Sequence, residues 1–293
     1  MDGTIKHALV IGAGTMGKGI AQWLAQSGVR ATLCDLRGEV AVAAHKDIEL
    51  SWQKLIQKGK FTAEQVDKMG EHLNAIALSD VDATNDAPDL IIEAIVESLE
   101  AKNKLFSELD QSMPEKTIFA SNTSSIPIAR LALAVSPKRR ERFLGLHFFN
   151  PAPIMKLVEI IKGPGTKSEL MSHLYLWFQS KGKKPAICAD SPGFIVNRVA
   201  RNFYGEAFRI IKHEHPGRAK AVDEIMRACG GFRMGPFELM DLIGIDINYD
   251  VTQSVWRDFF LEPRFAPHPL QRKMVESGRL GKKSKQGFYH HDD

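Results

Sequence analysis

The chain contains few cysteines and no long apolar run, and each of these absences excludes a class of protein. Its three cysteines, Cys34, Cys188 and Cys229, lie far apart and are odd in number, which argues against a disulfide framework and against a thiolate metal site. The longest apolar stretch, around Leu90 to Val96, is interrupted by Glu93 and falls short of the roughly 18 residues that a membrane helix needs. We therefore expect reduced, buried cysteines and no membrane span.

A strong charge of either sign is also absent. The formal net charge is +4 over 293 residues, and no aromatic and basic groove motif accompanies it, so an anionic small molecule is favoured over nucleic acid as the partner. The first apolar strand begins at about His7, which leaves no room for a secretory apolar segment and predicts a cytoplasmic protein. The length allows one large domain or two ordinary domains.

The first apolar strand runs directly into a glycine-rich turn, and a helical pattern follows. In this arrangement Gly12 allows the tight turn, Gly14 lets a pyrophosphate approach the backbone, and Gly17 lets the helix pack closely on the strand. The turn predicts a dinucleotide site. The residues expected to surround the phosphates are Gly12, Gly14, Thr15, Met16 and Gly17.

The next apolar strand ends in Asp35, roughly twenty residues after the first glycine, where an acid can hold the adenosine ribose hydroxyls. A carboxylate at this position repels the 2′-phosphate of NADP, so the sequence predicts NAD as the cofactor. Arg30 and Arg37 are the residues that would favour NADP, and we interpret them as surface charges.

Strands and helices alternate to about residue 187, and only helical patterns follow. The predicted fold is α/β: a Rossmann-type dinucleotide-binding domain over residues 1–187 with a helical insertion over about 39–72, followed by an all-α C-terminal domain over 188–293. The insertion has a basic end, which indicates either a projecting arm that binds a ligand or a solvated helix face. This end contains Lys54, Lys58 and Lys60.

The long helical pattern from Pro192 is apolar on several sides, which indicates burial among other helices or at a subunit interface. After it comes His213-Glu214-His215, which could suggest a metal site. We interpret it as a solvated helix end, because no third ligand lies nearby in the sequence and Pro216-Gly217 follows directly. No metal is therefore expected.

A histidine and a carboxylate lie in an otherwise apolar stretch that contains His147 and Glu159. One interpretation is a core histidine bonded to a backbone carbonyl, with Glu159 in solvent. The other is a general base whose second ring nitrogen is held by the carboxylate. The loop Ser121–Ser125, rich in hydroxyl and amide side chains, also follows a predicted strand. Because parallel strands end at one edge of a sheet, Ser124 and His147 are predicted to face one cleft.

Eight motifs, in this order along the chain, resemble the L-3-hydroxyacyl-CoA dehydrogenases, including the bacterial 3-hydroxybutyryl-CoA dehydrogenases. The resemblance runs nearly from end to end. The motifs are Gly12 to Gly17, Glu93-Ala-Ile-Val-Glu97, Ser121-Asn-Thr-Ser-Ser125, His147-Phe-Phe-Asn-Pro151, Met155-Lys-Leu-Val-Glu159, Pro192-Gly-Phe-Ile-Val-Asn-Arg198, Met234-Gly-Pro-Phe-Glu-Leu239 and Gly287-Phe-Tyr289.

The resemblance implies NAD-dependent oxidation of an L-3-hydroxyacyl-CoA to the 3-oxoacyl-CoA, and the reverse reduction. By that resemblance His147 is the general base and Glu159 orients it, while Ser124 and Asn197 hold the substrate oxygen. It further implies cofactor contacts from Glu97, Lys102, Asn122, Asn150 and Lys283. It implies substrate contacts from Ser51 and Lys58, which would bind coenzyme A, and from Ser124 and Asn150. The family pattern also implies a homodimer formed through the C-terminal domain.

The acyl chain is left open by the sequence. A short chain such as 3-hydroxybutyryl-CoA and the dicarboxylic 3-hydroxyadipyl-CoA are both compatible with it, and Arg233 stands near the expected acyl end where the family often has proline. Two other functions stay open. One is a hydroxyacid dehydrogenase that uses a lysine base on the long helix, where this chain offers no lysine before Lys212. The other is a dinucleotide-binding protein without activity.

Overall fold

The structure is a computed structural model that describes residues 5–81, 86–212 and 216–291. The chain divides into two compact units, Met1–Asp190 and Ser191–Asp293. The boundary lies slightly beyond the predicted residue 187, because the last strand continues to Ala189 before the chain leaves the sheet. The segment His213-Glu214-His215, interpreted above as a helix end, lies outside the described residues.

One 8-stranded sheet organises the first unit, in the order β3-β2-β1-β4-β5-β6-β7-β8. Its strands are β1 His7–Ile11, β2 Arg30–Asp35, β3 Leu73–Ala77, β4 Leu90–Glu93, β5 Ile118–Ser121, β6 Phe143–Phe148, β7 Leu157–Lys162 and β8 Lys184–Ala189. Neighbouring strands are parallel except for the antiparallel pair β6 and β7. From β1 the next two strands are added on one side of the sheet as β2 and β3, and β4 then pairs with β1 on its other side. This reversal of strand order opens a crevice at the carboxyl ends of β1 and β4.

Helices cover this sheet, and β1 and β4 to β6 are buried or nearly buried at every residue, as strands covered on both faces are. The helices of this unit are α1 Thr15–Gln26, α2 Gly38–Gln57, α3 Ala63–Glu71, α4 Leu99–Ser112, α5 Ile128–Leu131, α6 Pro137–Arg140 and α7 Ser168–Ser180. The predicted helical insertion is present as α2 and α3. The edge strand β3, which the sequence analysis did not anticipate, follows it.

The second unit is helical, as predicted. Its helices are α8 Val196–Ile211, α9 Pro216–Ala228, α10 Pro236–Ile243, α11 Ile245–Asp258 and α12 Pro269–Glu276. The long helix expected from Pro192 begins only at Val196. Gly193 and Phe194 have positive φ angles of 71° and 51°, and this left-handed backbone cannot continue a right-handed helix. Over the described part of the chain, no helix combines the length and the apolarity that crossing a membrane requires.

Candidate active site

A histidine and a carboxylate face each other across two neighbouring strands. The antiparallel pairing of β6 with β7 places His147 directly opposite Glu159. The imidazole Nδ1 lies 2.6 Å from Glu159 Oε2, and the two residues are 4% and 0% exposed. An ionised carboxylate can only accept a hydrogen bond. Nδ1 therefore carries the proton, and Nε2 is left as the basic nitrogen of the ring.

A serine hydroxyl lies on the Nε2 side of the ring. Ser124 Oγ is 2.9 Å from His147 Nε2. Ser124 belongs to the loop after β5, and β5 pairs with β6, so the ends of adjacent strands bring the two side chains together. Of the residues for which catalytic roles were predicted, the structure thus joins Ser124, His147 and Glu159 in one hydrogen-bonded chain.

The loop that carries Ser124 is held by Glu97. One Glu97 carboxylate oxygen, Oε1, accepts hydrogen bonds from the backbone N–H groups of Ser124 and Ser125, each at 3.1 Å, and from the Thr123 hydroxyl at 2.5 Å. Burial raises the pKa of Glu97, but the charge of Lys102 and the side-chain hydrogen bonds outweigh it and bring this pKa below its ordinary value. Glu97 is therefore an ionised acceptor that fixes the serine loop.

Lys102 is a buried cation that contacts two carboxylates, the buried Glu93 and the more exposed Glu97. Its Nζ is 2.5 Å from Glu93 Oε1 and 3.2 Å from Glu97 Oε2, and the Ser121 hydroxyl donates to Glu93 Oε2 at 2.5 Å. Lys102 and Glu93 are both 0% exposed. In this arrangement the ammonium of Lys102 stabilises the carboxylates that hold the serine loop, and its predicted contact with the cofactor stays a prediction.

The glycine turn has the backbone that its sequence predicts. Gly12 has a φ of +104°, and a Cβ added to it would lie 2.5 Å from the carbonyl oxygen of Ala94. A Cβ on Gly17 would lie 1.7 Å from Gly12 O, so the helix packs directly on the turn. By contrast, a Cβ on Gly14 would meet nothing within 4 Å. The backbone at Gly14, followed by Thr15 and Met16 in the first turn of α1, is therefore open to a ligand.

Asp35 lies at the end of β2 beside this turn. Its Oδ2 accepts a hydrogen bond from the backbone N–H of Ala13 at 2.9 Å. The two arginines that would favour NADP have acidic neighbours: Arg30 pairs with Asp86, and Arg37 Nε lies 3.9 Å from Glu39.

A cavity of about 520 Å³ opens at the ends of β1, β2 and β4, next to Asp35. Its walls combine the glycine turn with apolar side chains and backbone, including Gly12, Gly14, Asp35, Leu36, Ala94 and Ile95. A largely apolar cleft with the Asp35 carboxylate beside an open backbone turn fits the adenosine half of a dinucleotide.

The two asparagines predicted as cofactor contacts lie near the catalytic chain. Asn122 Oδ1 accepts a hydrogen bond from the backbone N–H of Phe148 at 2.9 Å, so this side chain ties the serine loop to the end of β6. Asn150 is exposed and precedes Pro151, to which it is joined by a cis peptide bond.

The predicted coenzyme A residues lie on α2 and at its end. Ser51 Oγ accepts a hydrogen bond from Gln22 Nε2 at 3.0 Å and donates to Ile48 O at 2.8 Å. Lys58 is the exposed residue that ends α2. Ser51 is therefore tied to α1, whereas the ammonium of Lys58 extends into solvent.

The remaining predicted residues, Asn197 and Lys283, belong to the second unit. Asn197 lies in the first turn of α8, and its carbonyl accepts a hydrogen bond from Arg201 Nε at 3.1 Å. Lys283 Nζ lies 2.5 Å from Asp246 Oδ2.

Two residues that the sequence analysis did not single out hold the loops of the site. The carboxylate of Asp190 accepts hydrogen bonds from the N–H groups of Ile128 and Ala129, at 2.9 and 2.7 Å, where α5 begins after the serine loop. Lys183 Nζ donates to the carbonyls of Ala152 and Met155, at 2.5 and 2.7 Å, in the loop after Pro151. Their partners are distant in sequence, and the only local signal was a charge at each end of β8.

Among the described residues, no group of three or more His, Cys, Asp or Glu side chains is placed to hold a metal ion.

Comparison with family models gives two consecutive matches. Residues 7–191 match "3-hydroxyacyl-CoA dehydrogenase, NAD binding domain", and residues 193–291 match "3-hydroxyacyl-CoA dehydrogenase, C-terminal domain".

Individual proteins are similar along nearly the whole chain. The chain is 44% identical to the 3-hydroxyadipyl-CoA dehydrogenase of Escherichia coli, over 97% of this chain and 59% of that protein. It is 42% identical to the mitochondrial hydroxyacyl-coenzyme A dehydrogenase of Mus musculus, over 97% of this chain and 91% of that protein. The crystal structure of 3-hydroxybutyryl-CoA dehydrogenase from Escherichia coli superposes with a TM-score of 0.91 at 42% identity, covering 98% of this chain and 60% of that one. The chain thus spans about three fifths of the two Escherichia coli proteins.

Proposed function

The chain belongs to the 3-hydroxyacyl-CoA dehydrogenase family, and we propose that it catalyses the NAD-dependent oxidation of L-3-hydroxyacyl-CoA to 3-oxoacyl-CoA, and the reverse reduction. The resemblance drawn from the motifs is confirmed by the two family models. NAD as the cofactor agrees with the described NAD-binding domain over residues 7–191.

The observation that carries the proposal is the chain from Ser124 through His147 to Glu159, which lies on the same sheet as the glycine turn, three strands away from β1 at β6. A buried imidazole held by a carboxylate on Nδ1 presents a basic Nε2. A general base must lie within hydrogen-bond reach of the proton that it takes, and the Ser124 hydroxyl at Nε2 marks where an alcohol oxygen can lie.

Each residue then has a role in the oxidation. His147 Nε2 takes the proton of the 3-hydroxyl, and Glu159 keeps the ring oriented and stabilises the imidazolium that forms. Ser124 donates a hydrogen bond to the substrate oxygen as negative charge develops there, and we assign the same task to Asn197 from the family pattern. Bound NAD supplies the acceptor for the hydride that leaves C3. Glu97 and Lys102 keep the serine loop in place.

Oxidation of NADH at 340 nm with acetoacetyl-CoA as substrate tests the function directly. We expect turnover that requires both compounds. A chain that binds NADH without turning over acetoacetyl-CoA or longer 3-oxoacyl-CoA substrates would instead be a dinucleotide-binding protein without this activity.

For the acyl chain we propose a short substrate such as 3-hydroxybutyryl-CoA. The dicarboxylic 3-hydroxyadipyl-CoA is the second candidate, because the Escherichia coli relative named for it is 44% identical. Arg233 bears on this choice, since it is exposed and lines a cavity of about 360 Å³ with Lys282. Arg227 of the same cavity is paired with Glu238, so Arg233 and Lys282 are the cations that a second substrate carboxylate would meet. Values of kcat/KM for acetoacetyl-CoA and 3-oxoadipyl-CoA, measured in the wild type and in Arg233→Pro, decide between the two.

We also propose a cytoplasmic homodimer that forms through the second unit. Large apolar side chains are exposed on this unit, among them Val199 at 64%, Ile210 at 63% and Phe260 at 95%. Such surfaces are typical of subunit interfaces. Light scattering after size-exclusion chromatography measures the assembly, and cell fractionation measures the location.

Asp35 is expected to make NADH the preferred cofactor by at least about 10-fold in kcat/KM, roughly 1.4 kcal/mol. Its carboxylate, fixed by the Ala13 N–H, would bind a ribose hydroxyl and repel a 2′-phosphate. Asp35→Asn should therefore lower the ratio of kcat/KM for NADH to that for NADPH. Glu115→Gln, which neutralises an exposed carboxylate that pairs with Lys138 outside this cavity, serves as the control. Equal values for the two cofactors in the wild type would contradict the assignment.

Lys58→Ala is expected to raise KM for the acyl-CoA with little change in kcat, because a contact with a coenzyme A phosphate is equal in the ground and transition states. The increase should lie toward the lower end of roughly 5- to 150-fold, since Lys58 is exposed and salt screens its charge. An N-acetylcysteamine thioester lacks these phosphates, so its KM should not change. Lys68→Ala on α3 is the control. A similar increase with both substrates would mean that Lys58 acts through the position of the arm.

A further inference from the structure

Arg201 is a buried cation of the second unit that has no acidic partner. It is 5% exposed. Its Nε donates to the Asn197 carbonyl at 3.1 Å, and its Nη1 donates to the Asn248 carbonyl at 2.8 Å and to the Thr252 hydroxyl at 2.6 Å. Within residues 5–81, 86–212 and 216–291, no carboxylate pairs with it, and its guanidinium donates to these residues through Nε and Nη1 only. A buried charge without a countercharge is unfavourable unless an anionic ligand supplies one.

One neighbour of Arg201, Asn248, has a donor that lacks an acceptor. Asn248 is 2% exposed, and its Nδ2 is a buried donor for which no acceptor lies in the described structure. Its Oδ1 is already occupied by Gln271 Nε2 at 2.8 Å. Burial lowers the pKa of Arg201 to about 10, so the guanidinium remains charged at neutral pH. The cluster therefore has an excess of donors and of positive charge.

Arg201 lines a cavity of about 250 Å³ between α8, α11 and the segment before α12. Its polar lining consists of Arg201, Arg209, Thr252, Arg264, His268 and Gln271 together with Tyr204, and no lining residue is acidic. Arg209 pairs with Glu206 at the surface. Arg264 stacks on the Phe265 ring at 4.8 Å and has no carboxylate partner in the described ranges. The cavity has room for a small ion, given about 30 Å³ per water in the liquid.

We propose that this cavity binds a small oxyanion, a carboxylate or a phosphate group, with Arg201 Nη2 as the central donor and Arg264 at the rim. The planar guanidinium presents its N–H groups in a geometry that matches two oxygens of one such group. A ligand of this kind supplies the countercharge that Arg201 lacks and further acceptors for its guanidinium. The proposal concerns residues of the second unit alone and does not depend on the reaction proposed above.

The test is calorimetric titration of the full chain with sodium phosphate and, separately, with sodium acetate. Saturating NAD and coenzyme A are present so that other phosphate-binding surfaces are filled, and sodium chloride keeps the ionic strength constant. We expect saturable binding of at least one anion, and the tighter of the two identifies the ligand class. Arg201→Gln should weaken binding by about 10-fold or more, because it removes a charge-assisted contact. Arg264→Gln should weaken it by about 3-fold or more. The control Arg257→Gln, an exposed change on α11 outside the cavity, should leave it unchanged.

Arg201→Gln also removes hydrogen bonds between α8 and α11, so circular dichroism must show that this variant folds. If it does not fold, the exposed rim variant Arg264→Gln decides the matter, since its guanidinium bridges no helices. The proposal is overturned if neither anion binds saturably to the wild type. It is equally overturned if Arg264→Gln binds as tightly as the wild type, or if Arg257→Gln loses as much affinity as Arg264→Gln.

Discussion

Replacing His147 with glutamine is expected to lower kcat by about 10²–10⁴, the range that a lost general base produces. Glutamine keeps a polar side chain of similar reach but cannot take a proton at neutral pH. The affinity for NADH should stay unchanged, because the glycine turn and Asp35 lie on β1 and β2, several strands away from β6 in the sheet. The loss therefore belongs to proton transfer and not to cofactor binding.

The measurement is kcat and KM with acetoacetyl-CoA and NADH at 340 nm, together with the NADH dissociation constant from quenching of tryptophan fluorescence. His45→Gln is a matched control, since His45 also neighbours a glutamate, with Nδ1 3.6 Å from Glu49 Oε2, but lies on α2. This control should stay within about twofold of the wild type. If His147→Gln stayed within about threefold of the wild-type kcat, His147 would not be the base.

The sequence could predict both His147 and Glu159 because each is an ionisable residue in an otherwise apolar stretch. Two ionisable groups in an apolar stretch, separated by a segment that must turn, can meet only if the second strand returns beside the first. The antiparallel register places His147 opposite Glu159 in this way. The alternative of Glu159 in solvent is wrong, because the side chain is fully buried.

The supporting residues could not be predicted in the same way. Asp190 bonds to backbone N–H groups at Ile128 and Ala129, and any acid on any loop could do the same, so the sequence contains no periodicity that would reveal the contact. The start of α8 was placed too early for a similar reason. Apolar spacing continues through Phe194, while the positive φ angles at Gly193 and Phe194 that delay the helix are set by tertiary packing.

Glu159→Gln is expected to lower kcat by about 10²–10⁴ by a different route from His147→Gln. The amide is neutral, so it cannot stabilise the imidazolium that forms when His147 takes a proton. If its NH₂ group faces Nδ1, the imidazole proton moves to Nε2, and the nitrogen that should accept the substrate proton is blocked. Both effects act on the chemical step, so KM for the acyl-CoA should change little.

Glu159→Gln should change the catalytic step without disturbing the sheet. The backbone of Glu159 pairs with β6 on one side and with β8 on the other, and glutamine has the same shape, so the strand should be preserved. Glu141→Gln is the control, because Glu141 is a more exposed carboxylate that pairs with Lys167 away from the site. The melting temperature separates loss of catalysis from loss of folded protein, and the control should retain wild-type kcat within about twofold.

The double variant His147→Gln/Glu159→Gln tests whether the two residues act as a unit. If Glu159 contributes to catalysis only through the imidazole, its replacement should have no further effect on kcat once His147 has been replaced. The double variant should then be slower than the slower single variant by no more than about threefold. Independent actions would instead multiply the two losses, to about 10⁴ or more. A multiplied loss, in a double variant that melts like the singles and binds NADH normally, would show that Glu159 contributes to catalysis by some route other than His147.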